Sequence, residues 1–305
     1  MKRNNKNKRP SHSHSHNHTH DTGGNIGLAF FLNLSFTFIE LIGGILTNSV
    51  AIISDSIHDF GDSISLAMAW YFQKLSKKKR GGRFSYGYRR FSLLGAILNS
   101  VILIIGSIYI ISEATQRLAD PQTTNATGMF ILAIIGILVN GFAVLKTYKT
   151  RSINERVVSL HLLEDVLGWV AVLIGSVIMH LTGLTIIDPI LSLGIACFIL
   201  YNACKNAKQV LHILLQGSPD ISKQKQITEK IERLKEVKKV HDLHIWSLDE
   251  DYEVLTMHVV LEESLNIKQL PPIKKQLRTL LSEENIKHST IEFETSAESC
   301  IFENC

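Results

Sequence analysis

Two short stretches hold ionisable residues where the surrounding sequence is apolar. In "SDSIHDFGDS", residues 54–63, Asp55, His58, Asp59 and Asp62 occur together; in "SLHLLEDVLGW", residues 159–169, His161, Glu164 and Asp165 do. His58 and Asp62 are four apart, and so are His161 and Asp165. On a helix this spacing puts two side chains on one face with Cβ atoms about 5–6 Å apart, so each helix offers a metal one nitrogen and one oxygen. Two such helices face to face supply four ligands, the number and kind that tetrahedral Zn²⁺ favours. An unpaired charge near the centre of a bilayer costs at least ~2.5–3.5 kcal/mol. A bound divalent cation relieves that cost, and protons on the same groups relieve it when the metal leaves. Pairing with Lys or Arg is the competing explanation, and the weaker one, because neither falls in the middle of any apolar stretch.

The elements that must position these residues are six apolar stretches, at about 26–46, 49–72, 91–112, 128–147, 157–180 and 186–204. Each approaches or exceeds the roughly 20 residues a helix needs to cross a hydrocarbon core. Helix-breaking residues punctuate them: Thr47-Asn48-Ser49 after the first, Pro121 and Gly128 in the third loop, Gly183 and Pro189 in the fifth. Lys2, Arg3, Lys6, Lys8 and Arg9 precede the first stretch, eight Lys and Arg lie between Lys74 and Arg90, and Lys146, Lys149, Arg151 and Arg156 follow the fourth. The opposite side holds only Arg117. Positive loops stay in the cytoplasm, so both termini are expected there, in agreement with an even number of spans. This topology accounts for the net charge of +4 and leaves no reason to invoke nucleic acid. A cleaved signal peptide is not expected, because the first stretch follows a long polar tail and lacks a small-residue cleavage site. Cys197, Cys204, Cys300 and Cys305 imply no secreted disulfide framework.

From about residue 207 the pattern is that of a soluble domain. Helical periodicity in "ITEKIERLKEV" and alternation in "VHDLHIWSL", "YEVLTMHVVL" and "HSTIEFE" predict helix 221–236, strands 239–247 and 252–261, helix 267–284 and strand 287–295. The expected organisation is a His-rich tail at 1–25, a six-helix α-helical membrane domain at 26–206, and a cytoplasmic α+β domain of order α-β-β-α-β at 207–305.

The run "ELIGGILTNSVAIISDSIHDFGD", residues 40–62, together with "HLLEDVLG" at 161–168, resembles the cation diffusion facilitator family of metal transporters, and the likeness spans about residues 26–295. The resemblance implies a transport site made of His58, Asp62, His161 and Asp165. Its His-Asp/His-Asp form resembles members that handle Zn²⁺. The resemblance further implies export of Zn²⁺ from the cytoplasm in exchange for H⁺, by alternating access in a homodimer joined through a ferredoxin-like cytoplasmic domain, with no cofactor. Histidine fits such coupling, since it titrates near physiological pH and must be neutral to bind metal. His241, His258 and Glu294 match regulatory metal ligands of relatives, and Cys300 and Cys305 add two soft donors. Residues 74–90 contain no His, Asp, Glu or Cys, so a loop metal site found in some members is not expected there; the loop is a basic surface facing lipid or the soluble domain.

Asp59 and Glu164 depart from the family pattern and are expected to line a water-filled cavity or support the ligands from behind. Asp55 lies one turn before His58 and either orients its ring or lines the entrance. Asn33, Glu40, Asn99 and Asn140 are as well explained by hydrogen bonds between helices as by a pathway. In "SHSHSHNHTH", His12, His14, His16, His18 and His20 alternate with small polar residues, a composition that captures metal weakly and cannot pack a core. Two other functions compete. An intramembrane metalloprotease would carry H-E-x-x-H, which the chain lacks, and a non-transporting metal sensor needs no ligands at mid-membrane. Co²⁺, Cd²⁺ or Fe²⁺ as main substrate is the alternative within transport, and the cell membrane is the expected location.

Overall fold

The computed structural model describes residues 22–76, 84–147, 153–249, 251–262 and 266–297. Six long helices come first: α1 (Thr22–Thr47), α2 (Val50–Ser76), α3 (Phe91–Ala119), α4 (Ala126–Thr147), α5 (Ile153–Thr182) and α6 (Ile187–Leu214). Five of them, all but α2, hold segments long and apolar enough to cross a membrane. The 27-residue α2 is as long as its neighbours but is diluted by Asp55, Asp59 and Asp62. It packs against α1, α3 and α6, while α4 pairs with α5. Large apolar side chains such as Leu46, Ile105, Phe142 and Leu181 face outward from the bundle. In water they would be a liability; in a bilayer they are the lipid-facing surface. Small residues let the backbones close up, as at Gly136 of α4, where the ring of Trp169 from α5 occupies the space a side chain would need.

One end of the bundle is tied together by polar bonds around the α1–α2 turn. Asn48 takes a left-handed conformation (φ 53°) there, as a residue closing a helix often does. Its carbonyl accepts from Arg117 Nη1 of α3 at 2.9 Å, and its Nδ2 donates to the Thr123 carbonyl at 2.9 Å. From α6, Asp188 accepts from Ser49 Oγ at 2.6 Å and from the Val50 N–H at 2.9 Å. Asp188 is thus a helix cap supplied from another helix: its buried carboxylate satisfies donors that the start of α2 cannot satisfy for itself.

The opposite end leads into the soluble domain: α7 (Ile221–Glu232), β1 (Val237–Ser247), β2 (Glu253–Leu261), a 3₁₀ turn (Ile267–Gln269) running into α8 (Leu270–Glu283), and β3 (Ile286–Glu294). The sheet order is β1-β2-β3, antiparallel between β1 and β2 and parallel between β2 and β3. The helices cover one face, where Ile227, Ile231, Leu255, Met257, Val259 and Leu277 form the core. Side chains of a strand alternate between faces, so His258 of β2 and Glu294 of β3 stand on the other.

One helix is shorter than the sequence implies and others are longer than their apolar stretches. The helix beginning at 221 ends at Glu232, because Leu234 and Val237 close turns onto Ile231 and Leu234 before β1 starts. Helix α6 runs ten residues past its apolar stretch, to Leu214. Helices α3 and α5 also extend beyond their apolar stretches, α3 to Ala119 and α5 from Ile153. The part of the α2–α3 loop from residue 84 docks on the soluble domain: Arg89 binds Asp249 at 3.1 Å and lies 4.3 Å from the Tyr252 ring centre, and Tyr86 meets the His288 ring edge-on.

Candidate metal centres

On α2 the i, i+4 spacing brings His58 Nε2 to 3.6 Å from Asp62 Oδ2. Both line a chamber of about 670 Å³ whose other wall includes Asp165, Glu164 and Gly168 of α5. His161 lies one turn before Asp165 in α5, but its side chain is outside the described residues. Asp55 lines the same chamber, as does Glu164. The chamber reaches Asn202 and Asn206 of α6, on the way to the soluble domain. At the other end Val50, Ala51, Ile52, Trp169, Val172 and Ala196 are buried in apolar contacts. The chamber is therefore closed toward the tied end of the bundle and extends toward the soluble domain.

Of the two places expected for Asp59, the chamber wall is not the one it takes. One residue's rotation turns it off the chamber and toward α1, where it is buried beside Glu40. Its backbone carbonyl accepts from Asn33 Nδ2 at 3.0 Å, and the same amide donates to Ser63 Oγ at 3.0 Å, so Asn33 is accounted for as a tie between helices.

The soluble domain holds a tighter group. Ligand atoms of His241, His258 and Glu294 all lie within 4.8 Å of one another. His241 Nε2 is 2.8 Å from Glu294 Oε2, and His258 Nδ1 is 2.6 Å from Glu294 Oε1, so one carboxylate serves both rings. Burial works to raise the pKa of Glu294, but the hydrogen bonds donated by the two histidines outweigh it and hold the carboxyl below its usual range. His241 Nδ1 is buried and has no hydrogen-bond partner among the described residues.

Asp242 and Glu292 belong with this group and were not anticipated. Asp242 takes φ 49° at an irregularity in β1 between His241 and His244. Its carboxylate reaches His244 Nε2 at 2.8 Å and His258 Nε2 at 3.5 Å, while Glu292 Oε2 is 3.6 Å from His258 Nε2. Glu292 had a signal: in "IEFE" it alternates onto the face of Glu294 and pairs in register with His258. Cys300 and Cys305, and His12, His14, His16, His18 and His20, lie outside the described residues.

Comparison with known proteins agrees with both halves of this architecture. Residues 26–215 match the cation efflux transmembrane domain, and residues 219–296 match the cytoplasmic domain of cation efflux proteins. The chain is 34% identical over 274 residues to the cadmium, cobalt and zinc/H(+)-K(+) antiporter of Bacillus velezensis, covering 88% of each protein. It is 33% identical over 279 residues to the metal cation efflux system protein CzcD of Cupriavidus metallidurans, covering 89% of this chain and 87% of that protein. The zinc transporter ZitB of Pectobacterium atrosepticum is 32% identical over 273 residues, covering 87% of this chain and 83% of that one. Both halves of the chain match cation efflux proteins, and the proteins similar to it are transporters, not enzymes: the chain belongs to the cation efflux, or cation diffusion facilitator, family.

Proposed function

We propose that this protein exports Zn²⁺ from the cytoplasm in exchange for H⁺, alternating between inward-open and outward-open states as a homodimer joined through its soluble domain. The observation that carries this reading is the chamber on which His58 and Asp62 of α2 meet Asp165 of α5, closed at one end of the bundle and extending toward the other. His161, one turn from Asp165, completes the donor set. Imidazole and carboxylate together favour Zn²⁺, and the proteins similar in sequence are named for zinc, cadmium and cobalt, one of them for H⁺ antiport.

In this reading α2 is the sixth span. It can carry its acids because they face a chamber and a neighbouring helix, and not lipid. Both termini are cytoplasmic, the protein lies in the cell membrane, and the membrane domain ends where α6 does, at Leu214, further along than residue 206. His241, His258 and Glu294 form a regulatory Zn²⁺ site, to which Cys300 and Cys305 add soft donors, and the histidines of the N-terminal tail capture the ion weakly.

Proteoliposomes with an imposed pH gradient provide the test. Radiolabelled Zn²⁺ uptake is expected to need the gradient and to disappear in Asp165→Ala, with Cd²⁺ and Co²⁺ competing better than Mn²⁺. Folded parent protein that moves no metal would instead favour a metal sensor.

A further inference from the structure

A second cavity, of about 480 Å³, adjoins the transport chamber on the side of the soluble domain. It is lined by Ser65 of α2, Ser92 and Ser100 of α3 and Gln209 of α6, with Asp249 and Asp251 from the β1–β2 hairpin above. Hydroxyls, amides and carboxylates suit a hydrated cation. Asn99 of α3 and Asn206 of α6 line both cavities, so the two amides mark the throat where the cavities meet.

Asn99 has two further features. Its Oδ1 is shielded from solvent yet accepts no hydrogen bond among the described residues. Buried amide oxygens normally have a partner, as the amide of Asn33 does in the same bundle. The oxygen also lies against Gly61, the residue beside Asp62, where a Cβ would sit 2.5 Å from it. A bare backbone at 61 is what allows the amide to approach α2 next to a proposed ligand.

We propose that Asn99 is a cation-binding residue at this throat: its amide turns from Gly61 into the throat, where the oxygen replaces one water of an incoming divalent ion before the ion reaches His58 and Asp62. The inference rests on the transport reading above and adds a waypoint to it. A neutral oxygen suits a waypoint, because conduction needs sites that hold an ion strongly enough to admit it and weakly enough to release it.

The test uses the full chain in proteoliposomes, with Asn99→Leu, Asn99→Asp and, as control, Asp165→Ala. Leucine keeps the volume and removes the oxygen; it is expected to raise KM for Zn²⁺ roughly tenfold, as loss of a supporting metal contact does, with the maximal rate within about twofold and the thermal midpoint unmoved. Aspartate keeps an oxygen and adds charge; KM is expected to return to or below that of the parent, and Mn²⁺, which prefers carboxylate, to compete better. An unchanged KM in Asn99→Leu, or equal loss in both variants, overturns the proposal. Loss of transport in Asp165→Ala alone would then still uphold the transport reading, whereas an inert parent would overturn both.

Discussion

Glu294 gives each of its two carboxylate oxygens to a different histidine, and that arrangement has a pH signature. A carboxyl held below its ordinary value of 4.5 stabilises the fold above that value, and the contribution is lost as pH falls through the depressed one. In metal-free protein the soluble domain is therefore expected to lose stability steeply below about pH 4.5, and Glu294→Gln to flatten that limb; thermal midpoints between pH 3 and 7 check it. Single residues differ in how plainly the sequence announces them. His58, Asp62, His161 and Asp165 stand out because ionisable types at helical spacing are costly in apolar surroundings. Asp242 does not, because its direction depends on a left-handed turn inside a strand that alternation cannot foresee. Asn99 is silent for another reason: an amide in an apolar helix has the same sequence whether it bonds a neighbouring helix or lines a throat. The sequence leaves two places open for Asp59, and only packing against α1 decides between them.

Among elements, α2 depends most on another helix. Asp188 supplies acceptors for Ser49 and Val50, and Arg117 secures the turn before them. Asp188→Ala leaves a buried backbone donor unmet and is expected to cost roughly 2 kcal/mol. Asp188→Asn keeps one acceptor oxygen and should cost less, in the order parent, Asn, Ala for thermal midpoints of the detergent-solubilised protein. Because the cap lies two to three turns from His58 and Asp62, the alanine variant should also change the ratio of Zn²⁺ to Cd²⁺ transport. Element order and type were legible from apolar runs and strand alternation. Helix ends were less so: charged and amide residues recur from Lys205 on, but α6 continues through this mixed sequence to Leu214, shortly before Gly217. By apolar content alone α2 ranks below the other five helices, because Asp55, Asp59 and Asp62 interrupt it.

At the scale of the whole molecule, Arg89 ties the α2–α3 loop to the soluble domain through Asp249 and Tyr252. With 45% of its side chain exposed, this ion pair is screened and contributes less than about 1 kcal/mol. Arg89→Ala is thus expected to leave thermal stability nearly unchanged while broadening the distance distribution between spin labels on the bundle and on the soluble domain; an unbroadened distribution would show that other contacts set the relative placement. Helix α6 enters the same question from the far end. It is clamped at Asp188 and runs 28 residues without a break to the edge of the soluble domain, a rod of roughly 42 Å at 1.5 Å per residue. Such a rod is a lever with its fulcrum at the closed end: a swing of about 10° there carries Leu214 through about 7 Å, so a small adjustment beside the chamber becomes a large one at the edge of the soluble domain.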